Sequence, residues 1–214
     1  MVKVKICGIT RMEDLEDAMS AGADIVGFII DVPSSPRSLR RRDAAHLISM
    51  VPSSVSSVAV TVLRDLEGLK RVLDLGADYL QLHGEPSLLV NLAKEGFLRG
   101  SVIGVVNARF SNALELAVEY SGLFEIVLLD SLRNGCLGGS GEAHDWRVSR
   151  MIRDAIQPKP LILAGGLTPD NVGIAVSTVK PYGVDVSTGV ETKPGVKDRE
   201  KVFRFVSEAK KVEA

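Results

Sequence analysis

The sequence predicts an α/β protein: a (β/α)8 TIM barrel forming a single compact domain over its 214 residues. Three observations carry that expectation. Eight short, β-branched aliphatic runs alternate with segments of helical spacing, and strict alternation implies parallel strands joined by crossovers. The runs are apolar almost throughout, as in a sheet buried on both faces. The glycine signals follow the seventh and eighth runs, where barrels bind phosphate, whereas an open doubly wound sheet carries its fingerprint after the first strand.

Val2–Cys7 reads as the first strand. Arg11–Ala21 reads as its helix, with Thr10 as N-cap and Gly22 as C-terminal stop. Asp24–Ile30 is the second strand, and a loop bearing Pro33 and Pro36 leads to a helix over Arg42–Met50. Ser57–Val62 is the third strand, with a helix over Asp65–Leu75 stopped by Gly76. Asp78–Leu82 is the fourth, followed by Pro86–Glu95, where proline suits the first helical turn. Ser101–Val106 is the fifth, followed by a helix over Ser111–Ser121 that Ser111 caps. Phe124–Leu129 is the sixth, and the glycine-bearing loop Asp130–Asp145 leads to a helix over Trp146–Ile156. Pro160–Ala164 is the seventh, before a helix that Pro169 starts and Thr168 caps. Gly183–Val186 is the eighth, and Asp198–Val212 the closing helix.

Composition narrows the function. The chain is 45% hydrophobic and 25% charged with net charge -1, so neither nucleic acid nor an anionic membrane is an expected partner. Arg40, Arg41 and Arg42 read as a solvated helix start, which leaves Arg37 as the arginine of interest. The two cysteines, Cys7 and Cys136, have no metal-ligand spacing. The chain shows no signal peptide and no apolar stretch near ~18 residues, so the cytoplasm is the expected compartment.

Reactive residues stand where strands end, the catalytic face of a barrel. Gly165-Gly166 strips side chains from one strand-helix turn, and Ser187-Thr188-Gly189 supplies hydroxyls and amides in the next. Together they read as a phosphate cradle opening toward helix starts. Cys7 is either a buried structural thiol or, as a thiolate, a base or nucleophile. Lys5 falls on its side of the strand and, if it points inward, is a candidate source of the positive charge a thiolate needs. Asp130 is either a cap or a carboxylic acid with a raised pKa. Arg37 is a surface arginine or a bidentate clamp for a carboxylate. Gln81 and His83 cluster at the fourth strand's end, and Asp185 can face the interior; Glu191, beyond it, reads as structural.

The motifs add a resemblance. Lys5-Ile6-Cys7-Gly8-Ile9-Thr10, Ser35-Pro36-Arg37, Gln81-Leu82-His83-Gly84, Leu128-Leu129-Asp130-Ser131, Gly139-Ser140-Gly141, Leu163-Ala164-Gly165-Gly166-Leu167 and Asp185-Val186-Ser187-Thr188-Gly189-Val190-Glu191 run in one order along the chain. In that order the chain resembles the phosphoribosylanthranilate isomerases of tryptophan biosynthesis. The resemblance implies an Amadori rearrangement with Cys7 as general base and Asp130 as general acid. It implies substrate contacts from Arg37, Gln81, His83, Ser140, Gly141, Gly165, Gly166, Asp185, Ser187, Thr188 and Gly189. It also implies no metal or organic cofactor, a small phosphorylated substrate as partner, and a monomer or homodimer. Rival phosphosugar barrels fit less well: one needs an aspartate where Cys7 stands, another catalytic lysines, a third metal ligands. A non-catalytic binder would need the phosphate loops but neither acid nor base.

Overall fold

The computed structural model describes residues 1–98, 100–131 and 145–212. The chain forms β1 (Lys3–Cys7), α1 (Met12–Ser20), β2 (Ile25–Ile30), β3 (Ser38–Leu39), α2 (Arg41–Ser49), β4 (Ser56–Leu63), α3 (Leu66–Leu73), β5 (Tyr79–Gly84), α4 (Pro86–Lys94), β6 (Val102–Asn107), α5 (Ala113–Leu123) and β7 (Ile126–Asp130). It continues with α6 (Trp146–Ala155), β8 (Leu161–Leu163), α7 (Val172–Val179), β9 (Gly183–Val186), a 3-10 turn (Thr188–Val190), β10 (Glu191–Lys193), β11 (Val196–Lys197) and α8 (Arg199–Lys211). The parallel strands close in the order β1-β2-β4-β5-β6-β7-β8-β9, and β9 pairs back onto β1. This is the (β/α)8 barrel that the alternation predicts.

Strand side chains alternate between two faces, so each strand feeds two cores. Val4, Ile6, Val26, Phe28, Val127, Leu129 and Val184 face outward against the helices. Ile25, Ile29, Val58, Val60, Ile103, Ile126, Leu128 and Ile162 fill the barrel. Cys7 belongs to the inner set, at the strands' carboxyl ends. The apolar floor beneath it fixes where the polar groups above can stand.

Several sequence-predicted caps move. Thr10 does not cap α1; its hydroxyl donates to the Gly195 carbonyl, and Arg11 takes the N-cap position without a side-chain bond. Ser111 does not cap α5, whose N-cap is Asn112. The helix expected from Pro169 begins only at Val172, because the Asn171 side chain closes a turn first: its Oδ1 accepts from the Thr168 N–H and its Nδ2 donates to the Gly166 carbonyl. Other expectations stand: Pro86 opens the first turn of α4, and Gly22 lies at φ +87°, a conformation that favours glycine. Asp65, expected inside its helix, is instead the N-cap of α3 and accepts from the Gly68 N–H. The short β3 and the β10–β11 hairpin are additions that two- and three-residue segments do not announce in a sequence.

Candidate active site

β1 aims Lys5 and Cys7 into the barrel. Lys5 is fully buried and in register with Asp185 of β9, and its Nζ donates to Asp185 Oδ1 at 3.0 Å. Cys7 is in register with Gly27 of β2. A methyl group at Gly27 would lie 2.9 Å from Cys7 Sγ and 3.1 Å from Lys5 Nζ, so this glycine makes the room both side chains occupy.

These neighbours set the protonation states. Burial opposes the Lys5 charge, but Asp185 and Cys7 outweigh it and leave the ammonium more strongly held than usual. Burial pushes the Cys7 thiol up, against the pull of Lys5 and Lys197 and with the help of Asp185. Lys5 therefore faces Cys7 as the strand alternation predicts, yet it does not make a ready thiolate, because burial, with the Asp185 charge added, outweighs its pull. Lys5→Met is expected to move the thiol's titration to still higher pH, read from thiolate ultraviolet absorbance in a Cys136→Ala background. An unchanged midpoint would remove Lys5 as an electrostatic neighbour of Cys7.

Asp130 ends β7 beside the same space. Burial, then the Asp185 charge, push its carboxyl up to about 6, against the Ser131 N–H and Lys5. Burial, then Lys5, hold the His83 imidazole down at about 4, so it is neutral at physiological pH. The Gln81 amide nitrogen lies 3.1 Å from His83 Nε2, and Gln81 Oε1 is buried without a partner.

Two cavities meet over these groups. One is lined by Gly165, Gly166, Leu167, Thr168, Thr188 and Gly189. The other is lined by Cys7, Ile29, Val32, Arg37, Val60, Thr61, Gln81 and His83. Asp130, Asp185 and Ser187 line both, so they form one cleft with a glycine-rich end and an apolar end. Gly165 (φ +88°) and Gly166 (φ +66°) bend the first loop. A methyl at Gly189 would sit 2.0 Å from the Leu167 carbonyl oxygen, which packs the second loop directly onto the first. With α7 starting at Val172, the glycine-rich end is lined by loop residues and the start of the 3-10 turn, not by the first turn of α7.

A family model described as N-(5'-phosphoribosyl)anthranilate (PRA) isomerase matches residues 4–208. The chain belongs to the phosphoribosylanthranilate isomerase family. An isomerase of Haloferax volcanii is 41% identical over 214 residues, covering 98% of this chain and 94% of the relative. A solved phosphoribosylanthranilate isomerase from Thermotoga maritima superimposes with a TM-score of 0.85 at 38% identity, covering 99% of this chain and 100% of that one. Another isomerase structure, in complex with reduced 1-(o-carboxyphenylamino)-1-deoxyribulose 5-phosphate, superimposes with a TM-score of 0.81 at 35% identity, covering 99% of this chain. The Thermotoga maritima isomerase has also been solved as monomers generated from a dimeric enzyme.

Within this member of the isomerase family, the cleft gathers Cys7, Arg37, Gln81, His83, Asp130, Gly165, Gly166, Asp185, Ser187, Thr188 and Gly189. Ser140, Gly141, Cys136 and His144 lie outside the described residues. Arg37 differs from its expectation. Its planar fork already grips Glu191, with Nε–Oε1 at 2.7 Å and Nη2–Oε2 at 2.6 Å, and only Nη1 lies outside that grip. Gly27, Thr61 and Lys197, none of them given a role from sequence, join the site: the first two on barrel strands, Lys197 through its bond to Glu191 from the β10–β11 hairpin. Among the described residues no group of acidic, histidine and cysteine side chains could hold a metal ion, and no helix is long and apolar enough to cross a membrane.

Proposed function

We propose that the chain isomerises N-(5'-phosphoribosyl)anthranilate to 1-(2-carboxyphenylamino)-1-deoxyribulose 5-phosphate, the Amadori step of tryptophan biosynthesis, with Asp130 as general acid and Cys7 as general base. The observation that carries the reading is that both residues line one cavity, which joins a glycine-rich end to an apolar end. Family membership and the ligand complex of a relative support the substrate.

The chemistry needs two proton transfers. Asp130 gives a proton to the ribose ring oxygen, the C1–O bond breaks, and the anilino nitrogen's lone pair completes a Schiff base. Cys7 thiolate then takes the C2 proton, and the electrons move through C1 to the nitrogen, leaving an enolamine that tautomerises to the ketone. A carboxyl titrating near 6 suits the first step, since an ordinary aspartate would hold too little of its acid form. Ile29, Val32 and Val60 offer an apolar wall to the aromatic ring, with Arg37 on the same lining for the carboxylate. His83, held neutral, and Gln81, with its free acceptor, suit hydrogen bonds to the sugar hydroxyls.

The phosphate falls to the loops at Gly165-Gly166 and Ser187-Thr188-Gly189, with Ser140 and Gly141 completing the contacts. A soluble biosynthetic enzyme acting on this small phosphorylated molecule fits the cytoplasm, needs no cofactor, and works as a monomer or homodimer. Gly189→Ala is expected to force the two phosphate loops apart, a strain of roughly 1–3 kcal/mol, and to weaken ligand binding about tenfold or more. Titration calorimetry with the reduced product analogue checks this; wild-type affinity in that variant would move the phosphate elsewhere. The reading itself is tested by assay: purified protein should accelerate the loss of phosphoribosylanthranilate fluorescence over its spontaneous decay.

A further inference from the structure

We infer that Glu191 is a positioning residue that couples recognition of the substrate's carboxylate end to recognition of its phosphate end. The inference rests on the functional reading of the cleft. It comes from the number of partners one buried carboxylate holds. Glu191 Oε1 accepts from Arg37 Nε at 2.7 Å, from Lys197 Nζ at 3.0 Å and from the Gly195 N–H at 3.4 Å, while Oε2 accepts from Arg37 Nη2 at 2.6 Å. Arg37 comes from the loop after β2 and Lys197 from β11, so the carboxylate ties together segments more than 150 residues apart.

Both cations also reach the phosphate loop. Arg37 Nη2 donates to Thr188 Oγ1 at 3.3 Å, and Lys197 Nζ donates to the Ser187 carbonyl at 3.2 Å. Glu191 therefore does two things at once. It fixes the guanidinium plane through Nε and Nη2 and removes the rotamer freedom a lone arginine would lose on binding. It also holds Lys197 under the backbone of Ser187. Burial disfavours the Glu191 charge, but Arg37 and Lys197 outweigh it and keep the carboxylate ionised. Replacing it leaves two buried cations short of their counter-ion, so both ends of the cleft should loosen together.

The test is a comparison of two ligands by titration calorimetry. Ribose 5-phosphate probes the phosphate end alone, and the reduced product analogue probes both ends. Glu191→Gln should weaken both by roughly tenfold or more, with KM raised more than kcat is lowered. Arg37→Lys, which gives up the bond to Thr188 but leaves Lys197 on Ser187, should weaken the analogue more than it weakens ribose 5-phosphate. Glu191→Asp, which keeps the charge on a shorter arm, should show the Glu191→Gln pattern at smaller size, and it serves if the glutamine variant does not fold. Wild-type affinities for both ligands in a folded Glu191 variant would overturn the inference. So would a Glu191 effect confined to the analogue, because Glu191 would then serve Arg37 alone. Failure of the wild-type chain to bind the analogue would instead sink the functional reading.

Discussion

Asp130→Asn is expected to lower kcat by about 10²–10⁴-fold and, at the same time, to stabilise the fold at neutral pH. The first half follows from the chemistry. Asparagine has the shape of aspartate and no proton to give to the ring oxygen. The second half follows from the cost of keeping this carboxyl in place. Its folded pKa lies near 6 against an ordinary value of 3.8. A raised folded pKa means that the neutral form is the one the fold favours. The stabilisation from this group is complete below about pH 4 and is lost as pH rises through 6, an amount on the order of 2–3 kcal/mol. Asparagine stays neutral throughout. Urea unfolding should therefore find the two proteins equal near pH 4 and the variant more stable at pH 8. Equal stability at both pH values would mean that Asp130 is not held in a site hostile to charge.

Cys7→Ser is expected to cost a similar 10²–10⁴-fold in kcat, and Cys7→Ala at least as much, with folding preserved. A serine hydroxyl has no accessible ionised form, so it cannot take the C2 proton. The wild-type thiol is itself pushed upward, chiefly by burial, while Asp130 titrates near 6. The reactive form, acid Asp130 with thiolate Cys7, is thus a minor species of the free protein. Its fraction is constant between the two pKa values, because each proton gained at one site balances one lost at the other. The profile of kcat/KM against pH should accordingly be flat from about 6 up to the thiol's pKa and fall outside that window. Such a profile does not say which group is acid and which is base; the two substitutions do. Near-normal turnover by Cys7→Ala would make Cys7 a bystander and turn attention to His83, the next titratable side chain in the cavity.

The sequence carries the barrel because strand periodicity is a local property: each aliphatic run declares itself within six residues or so, and closure follows from their number and order. Cys7, Asp130, Gly165 and Ser187 were legible for the same reason, since they stand where those runs end. Contacts made by distant segments were not. Nothing near Arg37 in the chain announces that its fork is taken by Glu191, 154 positions on. Strand alternation puts Lys5 beside Cys7, but only the register of β1 on β9 shows that Asp185 competes for its charge. Thr10 and Ser111 have the residue type of caps, and tertiary contacts and turn geometry override the local preference. Glu191, read from sequence as structural, proves to be the hub between two ends of the cleft.

The central claim is that this cleft performs the isomerisation through Cys7 and Asp130. The most direct measurement follows phosphoribosylanthranilate fluorescence, with the labile substrate generated in place, after addition of the wild-type chain and of Asp130→Asn in parallel. The account predicts rapid loss of fluorescence with the wild type and decay close to the spontaneous rate with the variant. Decay at the spontaneous rate with both proteins, or at the wild-type rate with both, would contradict it.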